Sequence, residues 1–457
     1  MTESPVWGFF RNIAGVMFGK FEAEEFKKFV RMGIIFALII GSYWTLRSLK
    51  NGIFNNLVDP KYLPWAKTAS IFFLFPVVIA YTKLLDRYSR EKMFYILPTI
   101  YGLTTLFFAI AFYFTQAPTA VIEARTGIAW LATKALAYFW YVFVESYGSL
   151  VVALFWAYAT DVTGPGSAKH GFPFIVALGQ VGGILFPMTL KLPKLLKLST
   201  SMLPVLISGL LTLWVIISFR NFLAATPKTL LASYGGSDAK KHDEEPGFLE
   251  GLRLLLNHWY LLGIFFVIFI YEFIITVFDF NFQTAAYLHY GDTPAYTEYL
   301  GLYASSVNAV TLVCLLLGVS NITRLLGVGV SLAMMPIIVA GALLGFLNIE
   351  GVNFLFMLMV GSKAINYALN GPAMKQLYVP TTHDVRFKAQ AWIETFGSRL
   401  SKEGGSIFNM LLGIIGRVRY LAWSSYFGFT MVIAWFFAAL YLGRTHKKAV
   451  QENKLVC

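Results

Sequence analysis

Long apolar runs recur along the whole chain and are separated by short polar segments. Each run holds about twenty residues, the length that an α-helix needs to cross a hydrocarbon layer of about 30 Å. Twelve such spans are predicted, at about 31–50, 68–84, 94–115, 131–158, 172–190, 202–221, 258–280, 299–319, 325–346, 352–370, 388–415 and 420–443. The pattern therefore predicts an all-α polytopic membrane protein with 12 transmembrane helices.

One long polar segment, residues 226–257, interrupts this alternation and is rich in Gly, Ser and charge. It predicts a linker between an N-terminal six-helix half, 1–225, and a C-terminal six-helix half, 258–457. This plan is typical of major-facilitator-like secondary transporters. In two-halved transporters the substrate binds near the membrane midplane and is exposed to each side in turn.

The distribution of basic residues orients the spans. With both termini in the cytoplasm, 23 of the 37 Lys and Arg residues fall in inside segments or at the adjoining ends of the spans, and eight fall outside. This obeys the positive-inside rule, although the outside segment 191–198 (KLPKLLKL) is itself basic. The first thirty residues contain four Glu and no cleavable signal-peptide pattern. A multi-pass protein of the bacterial inner membrane with a cytoplasmic linker is the expectation.

Composition excludes several other classes of protein. The chain is 57% hydrophobic and only 13% charged, so its net charge of +13 orients helices and does not indicate a nucleic-acid-binding surface. Two Cys and six scattered His indicate neither a disulfide framework nor a metal site. The stretches GQVGG (179–183) and GSK (361–363) lack the spacing of a phosphate-binding loop, and the glycines of the first indicate close helix packing. We expect a monomeric transporter, not an enzyme, without a cofactor or metal.

Charged residues inside the spans are the most informative feature. A charge at mid-bilayer costs roughly 2.5–3.5 kcal/mol, so each one indicates a pathway, a partner or a site. They concentrate on spans 1, 4, 7 and 10, which line the cavity of a two-halved transporter, and on span 11 beside it. They are Arg47, Lys50, Lys134, Glu145, Glu272, Asp279, Lys363, Arg399, Lys402, Glu394 and Glu403. The pattern predicts a water-filled cavity with net basic walls, suited to multivalent anions.

Alternative readings exist for some of these residues. Arg47 and Lys50, one turn apart, could instead snorkel to the outer interface as helix-end anchors. Lys134 and Glu403 are expected to be interfacial, whereas Glu145 lies within a long apolar helix and requires a partner or a proton. Tyr141, one turn before Glu145, is the best aromatic candidate for the site. Residues 83–92 (KLLDRYSREK) resemble the cytoplasmic latch of major facilitator transporters, and an ordinary basic loop explains them equally well.

Four stretches, in order along the chain, resemble the non-mitochondrial ATP/ADP translocases of intracellular bacteria and plastids. These are TLRSLKNGI (45–53), YTKLLDRYSREKMFY (81–95), YVFVESYGSLVVALFWAYATDVT…AK (141–169) and the motifs SKAINYAL, KQLYVPT, FKAQAWIETF and RLSKEGGS within 362–406. The resemblance implies a major-facilitator-like fold and transport of nucleotides, commonly exchange of ATP for ADP. By motif, the family's essential charges fall on Lys50, Glu145, Asp279 and Lys402, with Arg47 and Arg399 as further basic positions.

The sequence departs from that family at five positions. Asn51 stands where relatives have Asp, Asp279 where they have Glu, and Gln283 where they have Lys. A Lys of the tenth span is Asn366 here, and a later Asp is Gly371. The site is therefore less charged than in an ATP/ADP exchanger, and a ligand less anionic than ATP becomes credible. The predicted substrate-binding set is Arg47, Lys50, Asn51, Tyr141, Glu145, Asp279, Gln283, Lys363, Asn366, Arg399 and Lys402.

The leading hypothesis is a nucleotide antiporter in which Lys50, Arg47, Arg399 and Lys402 neutralise the phosphates. Glu145 and Asp279 would pair with those cations in the empty site. A proton-coupled nucleotide or NAD importer of the same fold, with Glu145 or Asp279 titrating, is the first alternative. A receptor that does not transport, or a facilitator for unrelated organic anions, is a second.

Overall fold

The computed structural model describes residues 5–117, 121–122, 126–163, 165–198, 200–231, 248–291, 293–318, 326–348, 351–378, 380–381, 393, 397–452 and 456. Short helical turns apart, these residues form fifteen α-helices. In chain order they are α1 (Pro5–Phe18), α2 (Ala23–Leu57), α3 (Leu63–Arg87), α4 (Arg90–Thr115), α5 (Gly127–Asp161), α6 (Pro165–Leu185), α7 (Met202–Ala225), α8 (Phe248–Asn257), α9 (Trp259–Tyr290), α10 (Thr293–Leu316), α11 (Val328–Asn348), α12 (Val352–Ile365), α13 (Gly371–Gln376), α14 (Ser398–Met410) and α15 (Arg417–Glu452).

Ten helices within the described residues are long and apolar enough to cross a membrane. Each of them overlaps one of the predicted spans, which supports a multi-pass, all-helical membrane protein. The predicted second span falls in α3, which is not among the ten, and neither is α14, which holds part of the predicted eleventh span; eight of the 28 residues of that span lie outside the described residues. The count of twelve spans therefore stays a prediction.

The contacts divide the chain into two compact units. The N-unit comprises Met1–Lys241 and Tyr290–Leu312, and the C-unit comprises His242–His289 and Val313–Cys457. Helix α8 and the turn Lys228–Leu231 are the described helical parts of the predicted linker. The division into halves at 1–225 and 258–457 stays a prediction.

Glycines allow the central helix of the N-unit, α2, to pack closely against α6. A Cβ atom on Gly182 would lie 2.1 Å from the carbonyl oxygen of Ala37, and one on Gly41 would lie 2.7 Å from that of Gly182. Phe36 of α2 stacks on Phe155 of α5 with ring centroids 4.6 Å apart. The close packing expected from the GQVGG stretch is confirmed.

The first turns of α10 also pack against α2, although they lie about 250 residues away in the sequence. Ser48 Oγ donates to the carbonyl oxygen of Leu300 at 3.3 Å, and Asn55 Nδ2 donates to the Tyr296 hydroxyl at 3.3 Å. Lys194 Nζ lies 3.0 Å from Glu298 Oε2. Lys194 belongs to the basic segment that departs from the positive-inside rule, and Glu298 offsets one of its three cations.

The core of the C-unit is built around α9, whose side chains between Tyr271 and Gln283 are mostly buried. A polar network ties it to α14 and α15: the Tyr420 hydroxyl donates to Asn409 Oδ1 at 2.6 Å and accepts from Asn281 Nδ2 at 3.2 Å. Helices α11 and α15 meet at Gly329 and Gly443, where a Cβ on Gly443 would lie 2.4 Å from Gly329 Cα.

The predicted latch loop is very short. Helix α3 ends at Arg87 and α4 begins at Arg90, and the Ser89 hydroxyl accepts from the backbone N–H of Lys92 at 3.4 Å as an N-cap. The side chain of Asp86 lies outside the described residues. A latch function stays a prediction.

We expect Gly182→Ala to lower the stability of the protein, because its new methyl group would press on the α2 backbone. Overpacking of this kind costs roughly 1–3 kcal/mol. Gly341→Ala in α11 is the matched control, since a Cβ there meets no atom within 4 Å and the helix propensity of Ala favours it by up to about 1 kcal/mol. The midpoint of thermal unfolding in detergent should fall for the first variant and hold or rise for the second. Equal shifts would contradict the contact.

Candidate functional site

Lys50 is a buried cation of the N-unit, and two groups of α5 hold it. Its ammonium donates to Glu145 Oε1 and lies 4.2 Å from the centre of the Tyr141 ring. Tyr141 and Glu145 are one turn apart on α5 and so present one face to Lys50. The Glu145 partner expected from the sequence is confirmed. The Lys50 side chain is 6% exposed and that of Glu145 is 38% exposed. Solvent or a ligand would therefore meet the Glu145 carboxylate before the Lys50 ammonium.

Arg47 and Asn51 flank Lys50 on α2. The half-buried Arg47 donates from Nη1 to the Tyr43 hydroxyl at 3.1 Å, and its guanidinium lies 5.3 Å from the Trp44 ring centre. Asn51 is buried, and its Oδ1 has no hydrogen-bond donor in the part of the chain that the structure describes. Because α2 continues to Leu57, Lys50 lies within the helix, buried and ion-paired, and does not extend to a helix end.

Tyr141 does not present an open ring. It is fully buried, the Lys50 ammonium covers one part of its π-system, and Phe54 contacts it edge-on at 5.5 Å. A buried cation–π contact is worth about 2 kcal/mol. In this structure Tyr141 therefore positions Lys50, and a direct contact with substrate stays a prediction.

A second buried ion pair lies in the C-unit between α9 and α12. Lys363 Nζ lies 3.1 Å from Asp279 Oδ1, and Gln283 Nε2 donates to Asp279 Oδ2 at 2.6 Å. The side chains of Lys363 and Asp279 are only 3% and 12% exposed. The sequence analysis placed Lys363 in the site but did not identify it as a partner of Asp279. This cluster is neutral overall, and it joins two helices.

A third ion pair, also in the C-unit, is more open. Lys402 Nζ lies 3.6 Å from Glu272 Oε2, Ser398 Oγ donates to Glu272 Oε1 at 3.3 Å, and the Lys402 side chain is 53% exposed. Glu272 is among the charges predicted inside the spans but is not in the predicted substrate-binding set. Its spacing of seven residues from Asp279, two turns along one face of α9, was the signal that could have included it. Arg399, the residue after Ser398, is half-buried.

The remaining predicted residues occupy less regular or undescribed positions. Asn366 begins a π-helical turn, Asn366–Asn370, and its Oδ1 accepts from Asn370 Nδ2 at 2.8 Å. Such turns are frequent at functional sites. Lys134, expected to be interfacial, donates to the carbonyl oxygen of Val58 at 3.1 Å. Glu394 lies outside the described residues.

The spanning helices and the comparisons with solved structures define the class of fold: a multi-pass, all-helical membrane protein of major-facilitator-like fold. The inward-open structure of the xylose transporter XylE from E. coli superposes with a TM-score of 0.59 at 13% identity, covering 92% of this chain and 95% of that one. The peptide transporter POT superposes with a TM-score of 0.57 at 11% identity, covering 92% and 95%. At these identities the likeness concerns the fold alone.

The sequence model of the TLC ATP/ADP transporter family matches residues 9–360 and 351–446, so the chain belongs to this family. ADP,ATP carrier protein 1 of Rickettsia prowazekii is 24% identical, with 95% of this chain and 96% of that protein covered. ADP,ATP carrier protein 3 of Rickettsia bellii is 24% identical, with 89% and 91% covered. The family resemblance drawn from the sequence motifs is confirmed.

We expect the two ion pairs of the C-unit to respond differently to neutralisation. Asp279→Asn or Lys363→Met alone should lower the free energy of unfolding by about 3–5 kcal/mol, because each leaves a buried charge without its partner. The double variant should recover most of that loss. Glu272→Gln and Lys402→Met should each cost no more than about 1 kcal/mol, since solvent reaches that pair. Unfolding midpoints of all the variants check this, and a double variant as unstable as its parents would contradict it.

Proposed function

We propose that this protein exchanges nucleotides, ATP for ADP or a related pair, across the bacterial inner membrane by alternating access. Membership of the TLC ATP/ADP transporter family and the carriers to which the chain is similar support this. The observation that carries it is the Lys50–Glu145 pair, a cation held within a spanning helix by an acid that remains partly exposed. A phosphate oxygen can replace that carboxylate oxygen while Tyr141 keeps the ammonium in place.

We propose that the more open cations make the first contact with phosphate. Lys402 is half exposed, Arg47 and Arg399 are half-buried, and Lys363 is closed in by Asp279 and Gln283. Enclosing an exposed cation without a ligand removes its water at a cost of several kcal/mol. A counter-nucleotide offsets that cost, which gives a physical reason for exchange.

Two uncharged amide side chains, those of Asn51 and Gln283, favour a ligand that carries less negative charge than ATP. Asn51 and Gln283 are both buried, and the carbonyl oxygen of each lacks a donor in the described part of the chain. An unpaired buried acceptor costs about 1–3 kcal/mol. Each can accept a hydrogen bond from a ribose hydroxyl or a base amine, and neither adds charge to attract phosphate.

The finer architecture belongs to the same proposal. Twelve spans in two six-helix halves, a cytoplasmic central linker, both termini in the cytoplasm and a monomeric state agree with the distribution of Lys and Arg. Nucleotide and lipid would be its only partners.

Proton-coupled import of a nucleotide or of NAD by the same fold is the second candidate. The observation that favours it is the Oε2 atom of Glu403, which is buried and has no donor in the part of the chain described. Buried acidic groups of membrane transporters often belong to proton relays; Glu403 lies in α14, which is not one of the ten helices long and apolar enough to cross a membrane.

Exchange predicts that uptake depends on what the vesicle contains. Proteoliposomes loaded with ADP should take up labelled ATP or a related nucleotide at least about tenfold faster than empty ones, because several kcal/mol oppose the return of an empty site. Collapse of the pH gradient should change this little. Equal uptake by empty vesicles would refute exchange, and loss of uptake on collapse would favour proton coupling.

We expect Lys50→Ala to lower exchange roughly 100-fold, because a charge-assisted hydrogen bond to phosphate is lost. Lys134→Ala is the matched control: Lys134 is also a cation within a spanning helix, but it donates to a backbone carbonyl near the end of α2. Initial rates should be normalised to the amount of protein in the membrane. Near-normal exchange by Lys50→Ala, or equal losses in both variants, would contradict the assignment.

A further inference from the structure

Helix α1 is a short helix before the first spanning helix, and none of the sequence predictions gave it a role. It comprises Pro5–Phe18, PVWGFFRNIAGVMF, and carries a single charged residue, Arg11. A helix that is apolar around most of its circumference is normally covered on both sides. What covers each side of α1 therefore requires an explanation.

One side of α1 packs on the protein. Trp7 contacts Phe26 of α2 at 6.0 Å, and Phe18 contacts Phe174 of α6 at 5.7 Å. Phe21, in the connection to α2, contacts the rings of both Phe26 and Phe174 at 5.6 Å. Because aromatic contacts join α1 to two spanning helices, α1 has a fixed position on the N-unit.

The adjoining side of α1 carries large apolar side chains that no part of the described chain covers. Phe9 is 63% exposed, Phe10 56%, Ile13 44% and Met17 46%. At about 100° per residue these four fall within one arc of about 100°. Arg11, Asn12, Gly8 and Gly15 form the third side, so protein-facing, apolar and polar sides follow one another around the helix.

The attachment point sets the depth of α1 relative to the spanning helices. It contacts α2 at Phe26, and the uncharged run of α2 begins at Met32, about 9 Å further along the helix axis. Lys20 is exposed between the two helices, and Lys27, in the first turns of α2, pairs with Glu24 at 2.7 Å; Lys28 is instead buried and donates to the carbonyl oxygen of Val162. Cations at this level, beside an apolar run that crosses the bilayer, place α1 where headgroups meet acyl chains.

We propose that α1 lies in the plane of the membrane surface, with Phe9, Phe10, Ile13 and Met17 inserted at the boundary between lipid headgroups and acyl chains. Interfacial helices bury such a side by about 5–10 Å while their polar side faces water. The third side, with Arg11 and the two glycines, then faces the aqueous phase. The bilayer, not a second protein chain, is the occupant because α1 lies at headgroup level, where lipid already surrounds the spanning helices.

Two spin-labelled variants on opposite sides of α1 test the proposal. Ile13→Cys lies at the centre of the apolar arc. Gly15→Cys, the matched control, lies about 160° away, and a Cβ there meets no atom within 4 Å. Both are made in the full chain with Cys314→Ser and Cys457→Ser and are placed in nanodiscs of phosphatidylethanolamine and phosphatidylglycerol, one copy per disc. The ratio of collisions with oxygen to collisions with a water-soluble nickel chelate should be roughly fivefold higher at position 13 than at position 15.

Equal ratios at the two positions would overturn the proposal. Dipolar broadening at position 13 in discs that hold two copies, absent in discs that hold one, would also overturn it, because a second chain would then cover the apolar side. A measurement on the unsubstituted protein avoids any loss of folding in the variants. In vesicles that contain a phospholipid with a photoreactive diazirine on its acyl chain, adducts should form on Phe9, Phe10, Ile13 or Met17. Their absence, with adducts present on the spanning helices, would refute insertion.

Discussion

The cost of placing a charge in a helix surrounded by lipid governs this structure. A cation there needs a partner on a neighbouring helix, and that need fixes which helices are adjacent and how each is rotated. Lys50 joins α2 to α5 through Glu145, and Lys363 joins α9 to α12 through Asp279. Apolar contacts around α2 and α9 are non-directional, so they do not by themselves require two particular side chains to face each other. The ion pairs therefore give each unit its specific arrangement, and glycine contacts such as Gly41 with Gly182 let the helices approach closely enough to form it.

The three ion pairs differ in how far the acid is exposed and in how many of its oxygens are hydrogen-bonded. Both oxygens of Asp279 are occupied, one by Lys363 and one by Gln283, at 3.1 and 2.6 Å. A lysine at position 283 would give that acid two cations and leave a net positive charge. Glutamine supplies a donor without charge, so the cluster is neutral and still hydrogen-bonded. The lower charge of this cluster thus comes without loss of its local hydrogen bonding.

Sequence reasoning reached the features that depend on one helix at a time. Run length predicted the helices that cross the membrane, and a lone acid in an apolar run required Glu145 to have a partner, which is Lys50. It did not identify Lys363 as a partner of Asp279, because a hydropathy pattern carries no information on how α12 is rotated about its axis relative to α9. It offered Tyr141 as an aromatic candidate but could not show that Lys50 already covers its ring. Helix α1 was not predicted from hydropathy, because its fourteen residues are too few to span a membrane.

The two faces of α2 connect binding chemistry to helix packing. Arg47 and Lys50 lie within about 60° of each other around the helix axis, and Ser48, Gly52 and Asn55 lie on the opposite side. That opposite side is the one that contacts α10, through Leu300, Thr297 and Tyr296. An α-helix moves as a nearly rigid body, so a shift of α2 that accompanies a change of partner at Lys50 also moves Ser48 and Asn55 against α10. The two hydrogen bonds to α10 are long, at 3.3 Å each, and long bonds are weak ones. The Lys50 ion pair and the contacts with α10 therefore lie on opposite sides of one rigid helix, so the position of α2 links them.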